Sequence, residues 1–322
     1  MNAPVEVWPG PLEGVMREPF LRAAAALHLT DRWMTPFLRL SSAVPRRRRL
    51  DAFLAPFLAT RLPVTLQLMG TDPAILAETA RAAAEAGAAG INLNFGCPSR
   101  QVTSGGAGGG VLRRPERMAA ILTAVRRALP DTVPLSVKLR CGWEAESEMP
   151  AVLDAAAGSG AADRIFFHCR TVREQYRPVP APERQRRMAR AVARCAPLPV
   201  IVNGDIAAAE EGRILVRETG AAGVMCARFW LRDPGLLLRL RGEPADDAET
   251  LRRRFFRLAA RDGLRRGAAI ELSNFLWGDA NPWFETLRKM APDAVFDLHF
   301  MQSGATFPND EAKGGLSLCE KF

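Results

Sequence analysis

Residues 63–94 read PVTLQLMGTDPAILAETARAAAEAGAAGINLN, and they contain one repeat unit of the fold. Residues 63–69 form a short apolar run, the signature of a buried strand. Asp72 then offers a capping carboxylate and Pro73 suits a first helical turn, so the spacing predicts a helix over 73–87. A second apolar run, 90–94, follows. A strand, a helix and a strand in this order form a βαβ unit, with the two strands parallel. The same alternation continues in both directions. Strands are predicted at 5–9, 33–38, 134–140, 164–168, 198–202 and 222–226, and helices at 115–129, 149–159, 183–195 and 207–219, with a short one over 233–241. Eight strands in about 225 residues fit a closed (β/α)8 barrel, although a doubly wound open sheet satisfies the same pattern.

Strand signals stop near residue 242. A helix is predicted over 246–272, with Leu251, Phe255, Leu258 and Ala259 on its apolar face, and a second helical segment over 283–300. The expected organisation is a barrel over 1–242 and a small helical domain over 243–302, joined through RGEPADD, with a mobile tail over 303–322. The 322 residues allow a large core, and the 48% hydrophobic content is ordinary for a globular protein. No uncharged apolar stretch has the length of a membrane span, and the amino terminus lacks the basic and apolar regions of a signal peptide. A cytoplasmic location is therefore expected. The six cysteines show no CxxC pair and no zinc spacing, so neither a disulfide framework nor a metal site is expected.

The net charge is +9, and only four of the 44 basic residues are lysine. A compositional preference for arginine accounts for part of this excess. Two segments concentrate the charge: residues 170–194 hold eight arginines against two glutamates, and 250–289 hold nine basic groups against four acidic ones. Such clustering points to an anionic partner such as nucleic acid.

The residues with chemistry in them gather where predicted strands end, the face a barrel uses for catalysis. After the strand at 90–94 comes NFGCPSR, where Cys97 sits between a glycine and a proline on a tight turn. A lone cysteine is ordinarily a buried apolar residue. That bland reading holds for Cys141, Cys169, Cys195, Cys226 and Cys319, whereas the turn around Cys97 argues for a working thiol. The glycine-rich stretch 105–110 is expected to form a flexible lid. Lys138 interrupts an apolar strand, and a lysine facing a barrel interior needs a partner unless it snorkels to the rim. His168 ends another apolar run, with Arg170 two places on and on the same face. Asn203, Gly204 and Asp205 in VIVNGDI, and Ala227 and Arg228 in GVMCARFW, form the two turns where barrels commonly bind phosphate. Gln67 is a polar residue inside the strand at 63–69, suited to reading a planar ligand. The turn PGPLEGVM at 9–16 is placed to lie against a ring's face.

Taken together, these motifs resemble the tRNA-dihydrouridine synthases, and most closely their subfamily C, over residues 9 to 241. The family's Pro-Met-Glu-Gly is matched by Pro11-Leu12-Glu13-Gly14, and its Asn-x-Gly-Cys-Pro by Asn94 to Pro98. Its Val-Lys-x-Arg corresponds to Val137 to Arg140, its His-x-Arg-Thr to His168 to Thr171, and its Asn-Gly-Asp/Glu turn to Asn203 to Asp205. The run Thr171 to Arg177 leans toward subfamily C. The resemblance implies FMN across the barrel mouth, NADPH as reductant, and reduction of the C5=C6 bond of a flipped-out D-loop uridine, with position 16 the subfamily expectation. It makes Cys97 the proton donor, a role suited to a thiol, whose ordinary pKa lies near 8.5. It places Pro11, Leu12, Glu13, Gln67, Lys138, His168, Asn203, Gly204, Asp205, Ala227 and Arg228 around the cofactor. Asn94, Arg140, Arg170 and Thr35 fall against the substrate, and the partner is tRNA, bound by a monomer.

Three departures stand out. The family's Gly-Arg at the last phosphate turn is Ala227-Arg228, where a positive φ would be strained. Its Thr-Glu-Phe is Thr35-Pro36-Phe37, which lacks the carboxylate. Residues 246–322 do not clearly match the family's helical domain. Two other readings compete with the resemblance: a barrel flavoenzyme reducing a free pyrimidine or enone, and a non-catalytic RNA-binding barrel.

Overall fold

The computed structural model describes residues 5–261 and 263–296. Nine strands share one parallel sheet: β1 (Glu6–Pro9), β2 (Trp33–Met34), β3 (Leu38–Arg39), β4 (Val64–Met69), β5 (Gly90–Phe95), β6 (Leu135–Arg140), β7 (Arg164–His168), β8 (Val200–Asn203) and β9 (Gly223–Cys226). The spatial order is β1-β9-β8-β7-β6-β5-β4-β2, with β3 also on β4. Since β2 and β3 are two halves of one interrupted strand, the sheet is a nearly closed eight-position barrel. The open-sheet alternative is thereby excluded. The interruption falls at Thr35–Phe37, because Pro36 has no N–H for the ladder.

The helices of the outer ring are α1 (Glu18–Ala26), α2 (Arg47–Leu58), α3 (Pro73–Glu85), α4 (Arg100–Thr103), α5 (Pro115–Ala128), α6 (Met149–Gly158), α7 (Ala181–Cys195), α8 (Ala209–Thr219), α9 (Arg228–Arg232) and α10 (Leu236–Arg241). Asp72 caps α3 as its sequence implies, accepting from the N–H groups of Ala74 at 2.9 Å and Ile75 at 3.0 Å. The apolar pattern does not mark α1, α2 or α9, and the helix expected at 233–241 is the shorter α10.

Beyond the barrel the prediction needs correction. The single helix expected over 246–272 is two, α11 (Ala248–Arg261) and α12 (Arg266–Trp277). Between them Gly263 adopts φ +80 and β10 (Leu264–Arg265) begins. The segment expected to be helical over 283–300 holds only one short helix, α13 (Phe284–Lys289), before β11 (Val295–Phe296) pairs antiparallel with β10. Residues 297–300 and the tail expected at 303–322 lie outside the described residues.

Strand side chains alternate between two environments. Outward residues such as Leu66, Leu93, Val137 and Phe167 pack under the helices in one large core. Inward residues fill the barrel. Trp8, Met34, Phe166, Ile201 and Met225 form an apolar plug, with the Trp8 and Phe166 rings edge to face at 5.0 Å. On the opposite wall the filling is polar. Asn94 Nδ2 donates to Gln67 Oε1 at 2.8 Å, Gln67 Nε2 to Asn92 Oδ1 at 2.8 Å, and Asn92 Nδ2 to Ser136 Oγ at 2.9 Å. Ser136 Oγ in turn donates to the Ile91 carbonyl at 3.1 Å. Every member of this buried chain is satisfied, as a low-dielectric interior requires.

Candidate active site

A cavity of about 490 Å³ opens at the carboxyl ends of the barrel strands, within the size range of cofactor and small-molecule sites. Half-buried Cys97 lies on its wall. The turn carrying it is braced from three sides. Asn94 Oδ1 accepts from the N–H groups of Gly96 and Cys97, both at 3.0 Å. Gly109 N–H donates to the Cys97 carbonyl at 2.9 Å, and Arg140 Nε donates to the Gly96 carbonyl at 2.7 Å. Arg140 also reaches the carbonyls of Thr171 at 3.0 Å and Gln175 at 2.8 Å, tying the Cys97 turn to the loop after β7. Asn94 and Arg140 thus line the cavity, and Asn94 Oδ1 and Arg140 Nε hold the cysteine turn.

Of the glycines at 105–110, expected to form a lid, the last three do something else. Gly108, Gly109 and Gly110 are buried in a 3₁₀ turn, Gly108–Arg113. A Cβ on Gly109 would come within 2.5 Å of Val172 Cγ2 and 2.9 Å of the Cys97 carbonyl oxygen. Glycine is needed there for close packing beneath the cysteine turn, not for freedom of movement. The remaining described cysteines follow the bland reading: burial pushes Cys141 and Cys226 up to about 12, and Cys169 and Cys195 to about 11. Cys319 lies outside the described residues.

Lys138, His168 and Gln67 lie on the floor and walls of the same cavity. Among the described residues no hydrogen bond or ion pair holds the Lys138 ammonium. Burial pushes its pKa down to about 8, with the Arg140 cation acting in the same direction and Cys97 opposing. His168 is held well below its ordinary pKa by burial, with Arg140, Lys138, Arg170 and Arg228 adding to the effect, so the ring is neutral. Arg170 Nη1 approaches His168 Nε2 at 3.4 Å, which assigns that nitrogen as acceptor and leaves the proton on Nδ1. Nδ1 is buried without a partner in the protein. An orphaned donor and a depressed lysine on one cavity suit the acceptor-rich edge of a planar heterocycle. Gln67 uses its Oε1 and Nε2 on Asn94 and Asn92, so it supports the floor from below.

At the other end of the cavity, β8 and β9 finish in the two turns anticipated for phosphate. Asn203 Nδ2 donates to the Met225 carbonyl at 2.8 Å and locks the turns together. Gly204 has φ +141, and a Cβ there would lie 2.8 Å from Cys169 Sγ. Asp205 also has positive φ, and its carboxylate is paired with Arg170 and, at 3.4 Å, with Arg228. Ala227 has φ −104, so the strain expected from replacing glycine does not arise. Its methyl group is accommodated by Gly10, just past the neighbouring β1, where a Cβ would stand 2.7 Å from it. Pro11, Leu12 and Glu13 continue from Gly10 along the cavity edge, and burial raises the pKa of Glu13.

Two predicted residues are absent from the cavity wall. Thr35 is fully buried, accepting from Gln67 N–H at 3.0 Å, and its neighbours Pro36 and Phe37 line the cavity in its place. Arg170 is buried between His168, Asp205 and the Arg177 carbonyl, which it reaches at 2.6 Å. Conversely, Tyr176, Phe229 and Phe275 line the cavity although their sequence context assigns them no role. Tyr176, the only tyrosine in the chain, lies between the Arg140 and Arg228 guanidinium groups at 5.9 and 5.3 Å. Its place in the Thr171–Arg177 run is the one signal that could have found it. Phe275 arrives from α12, beyond the barrel, and no local signal marks such a contribution.

The basic segment at 170–194 also reads differently in three dimensions. On α7, Arg186, Arg187 and Arg190 converge on Glu146, Arg184 pairs with Glu211, and Arg194 pairs with Asp154 at 2.5 Å. These arginines hold neighbouring elements together. Among the described residues no cluster of His, Cys, Asp and Glu could hold a metal ion, and no helix is long and apolar enough to cross a membrane.

Comparison with known proteins agrees with this geometry. Among solved structures, a 2-naphthoyl-CoA reductase complex superposes with a TM-score of 0.56 at 11% identity, covering 74% of this chain and 50% of that one. TcOYE with pHBA gives 0.52 at 11% identity, covering 77% and 92%. At such identity the likeness concerns the barrel alone. Among curated sequences, the tRNA-dihydrouridine(16) synthase of Vibrio parahaemolyticus is 32% identical over 70% of this chain and 71% of its own length. That of Pseudomonas putida is 30% identical over 91% of this chain and 89% of its own length. This second alignment runs well into the helices beyond residue 246, where motifs alone show no clear match. The dihydrouridine synthase (Dus) family model matches residues 9–259. This chain belongs to the dihydrouridine synthase family.

Proposed function

We propose that this chain is a flavin-dependent tRNA-dihydrouridine synthase that reduces the C5=C6 bond of a D-loop uridine, at position 16 as in the names of its relatives. The observation that carries the reading is the meeting of a braced, half-buried thiol with Lys138 and His168 in one cavity. The cavity fits FMN: the orphaned His168 Nδ1 and the free Lys138 ammonium suit the pyrimidine edge of the ring. Arg228 and the turns at Gly204 and Ala227 suit its phosphate. When bound and reduced by NADPH, FMN supplies a hydride to C6 of the uracil.

Cys97 gives its proton to C5, and its partial exposure allows the thiolate to recover a proton from solvent. Asn94, Gly109 and Arg140 keep the sulfur in place during that transfer. Tyr176, Phe37 and Phe275 offer apolar and aromatic surface at the mouth to a base leaving its stack. In this reading residues 1–242 are the catalytic barrel, and the helices beyond bind RNA while α12 also walls the cavity through Phe275. The protein acts as a monomer in the cytoplasm. Mass spectrometry of digested tRNA, from a strain lacking the protein and from the same strain complemented, tests the reading. Dihydrouridine should vanish at one position and return; an unchanged nucleoside map refutes it.

A further inference from the structure

Four consecutive arginines, Arg46–Arg49, stand at the start of α2, all exposed. Arg47 pairs with Asp51 at 2.7 Å, whereas Arg46, Arg48 and Arg49 meet no carboxylate among the described residues. This contrasts with α7, whose arginines are all drawn onto acidic partners. The placement also opposes helix electrostatics. The first turn of a helix is its positive end, which favours acidic side chains, yet α2 has none there. Adjacent cations at that end gain nothing from the fold, so their stabilising partner lies outside it.

The location says what that partner meets. The segment leaves β3 at the carboxyl end of the barrel, the face on which the cavity opens. Pro36 and Phe37, just before β3, line the cavity. Arg39 donates to the Gln101 carbonyl at 3.1 Å, joining this edge to α4, where Arg100 is exposed three residues from Cys97. The arginine run therefore stands at the same end of the barrel as the cavity mouth, following the strand edge that meets α4.

We propose that Arg46, Arg48 and Arg49 form a phosphate-binding rim that grips the RNA backbone beside the cavity. The inference rests on the tRNA reading above and names where the backbone is held. Such backbone binding sets register and affinity without reading sequence.

The test measures tRNA affinity of the full-length protein across a series of salt concentrations. The variants are Arg46→Ala/Arg48→Ala/Arg49→Ala together, and Arg127→Ala as a control. Arg127 is exposed at the end of α5, on the opposite face of the barrel. For the triple variant the slope of log affinity against log salt should fall by about 2 to 3, at roughly 0.7 to 0.9 for each phosphate no longer neutralised. Its Kd should rise about tenfold or more near 0.1 M salt, while Arg127→Ala stays within about twofold. The melting temperature of the triple variant should hold or rise, because cations leave a helix start; a clear fall would assign these residues a structural role and overturn the inference. If the wild type binds tRNA and the triple variant matches its Kd and slope, the rim alone is refuted. A wild type that binds no tRNA removes the functional reading and the rim with it.

Discussion

Lys138 is expected to destabilise the flavin-free protein, and Lys138→Met measures by how much. Its pKa falls from 10.5 to about 8 on folding because burial disfavours the ammonium. At about 1.4 kcal/mol per unit, that shift amounts to about 3 kcal/mol against folding. The sign follows from proton uptake. Below pH 8 the lysine is charged in both states, and the full penalty is present. Between 8 and 10.5 the unfolded chain holds the proton more tightly, so stability gained from this group rises with pH; above 10.5 the penalty is gone. Methionine has a similar shape and no charge to desolvate. Flavin-free Lys138→Met should therefore be more stable than the wild type by about 3 kcal/mol at pH 7 and by about 1 kcal/mol at pH 10. Guanidinium unfolding at both pH values reads the difference, and the same variant should bind flavin weakly and turn over little. A variant less stable than wild type at pH 7, or a gap that does not narrow with pH, would refute the reasoning.

Other substitutions probe the cysteine turn. Cys97→Ala should retain the flavin absorbance spectrum while turnover on tRNA falls by about 100- to 10,000-fold, the range for a lost proton donor; steady-state kinetics with undiminished turnover would remove Cys97 from the mechanism. Asn94→Ala strands the Gly96 and Cys97 N–H groups and Gln67 Oε1 without partners. Chemical denaturation should show a loss of about 2–4 kcal/mol, since buried unpaired groups cost about 1–3 kcal/mol each and some relax. Gly109→Ala places a methyl group 2.9 Å from the Cys97 carbonyl oxygen and must move the turn. Its kcat should drop about 10- to 100-fold with the KM for tRNA little changed, because displacement of a catalytic group is felt in the chemical step.

The barrel was legible because parallel strands covered on both sides read as apolar runs, and because Asp72-Pro73 marks a helix start in the residues themselves. Where the pattern failed, a physical cause is visible. The expected strand at 33–38 breaks at Pro36, and α2 hides behind four arginines and an internal Pro56. Gly263 divides one periodic stretch into two helices, a tertiary choice that periodicity cannot carry. In the cavity, Cys97, Lys138 and His168 announced themselves as reactive groups out of place at strand ends. Thr35 and Arg170 had the same local look and yet face inward to protein partners, since motif membership does not fix a rotamer. The glycines at 108–110 suggested freedom, whereas their neighbours require absence of volume. Phe275 depends on a helix packing back from the far end of the chain, information that no window of sequence contains.

The buried amides linking Asn94 to Ser136 have a polarity. Because Asn94 Oδ1 must accept from two N–H groups of the cysteine turn, its nitrogen can only give, and each following amide is forced to take on one side and give on the other. Like a row of dominoes, no member can flip without flipping the rest. An Asn94→Asp change, made under the cysteine turn, would therefore turn Gln67 and Asn92 over in sequence and be felt in the depths of the barrel, where the Ser136 hydroxyl would have to leave the Ile91 carbonyl.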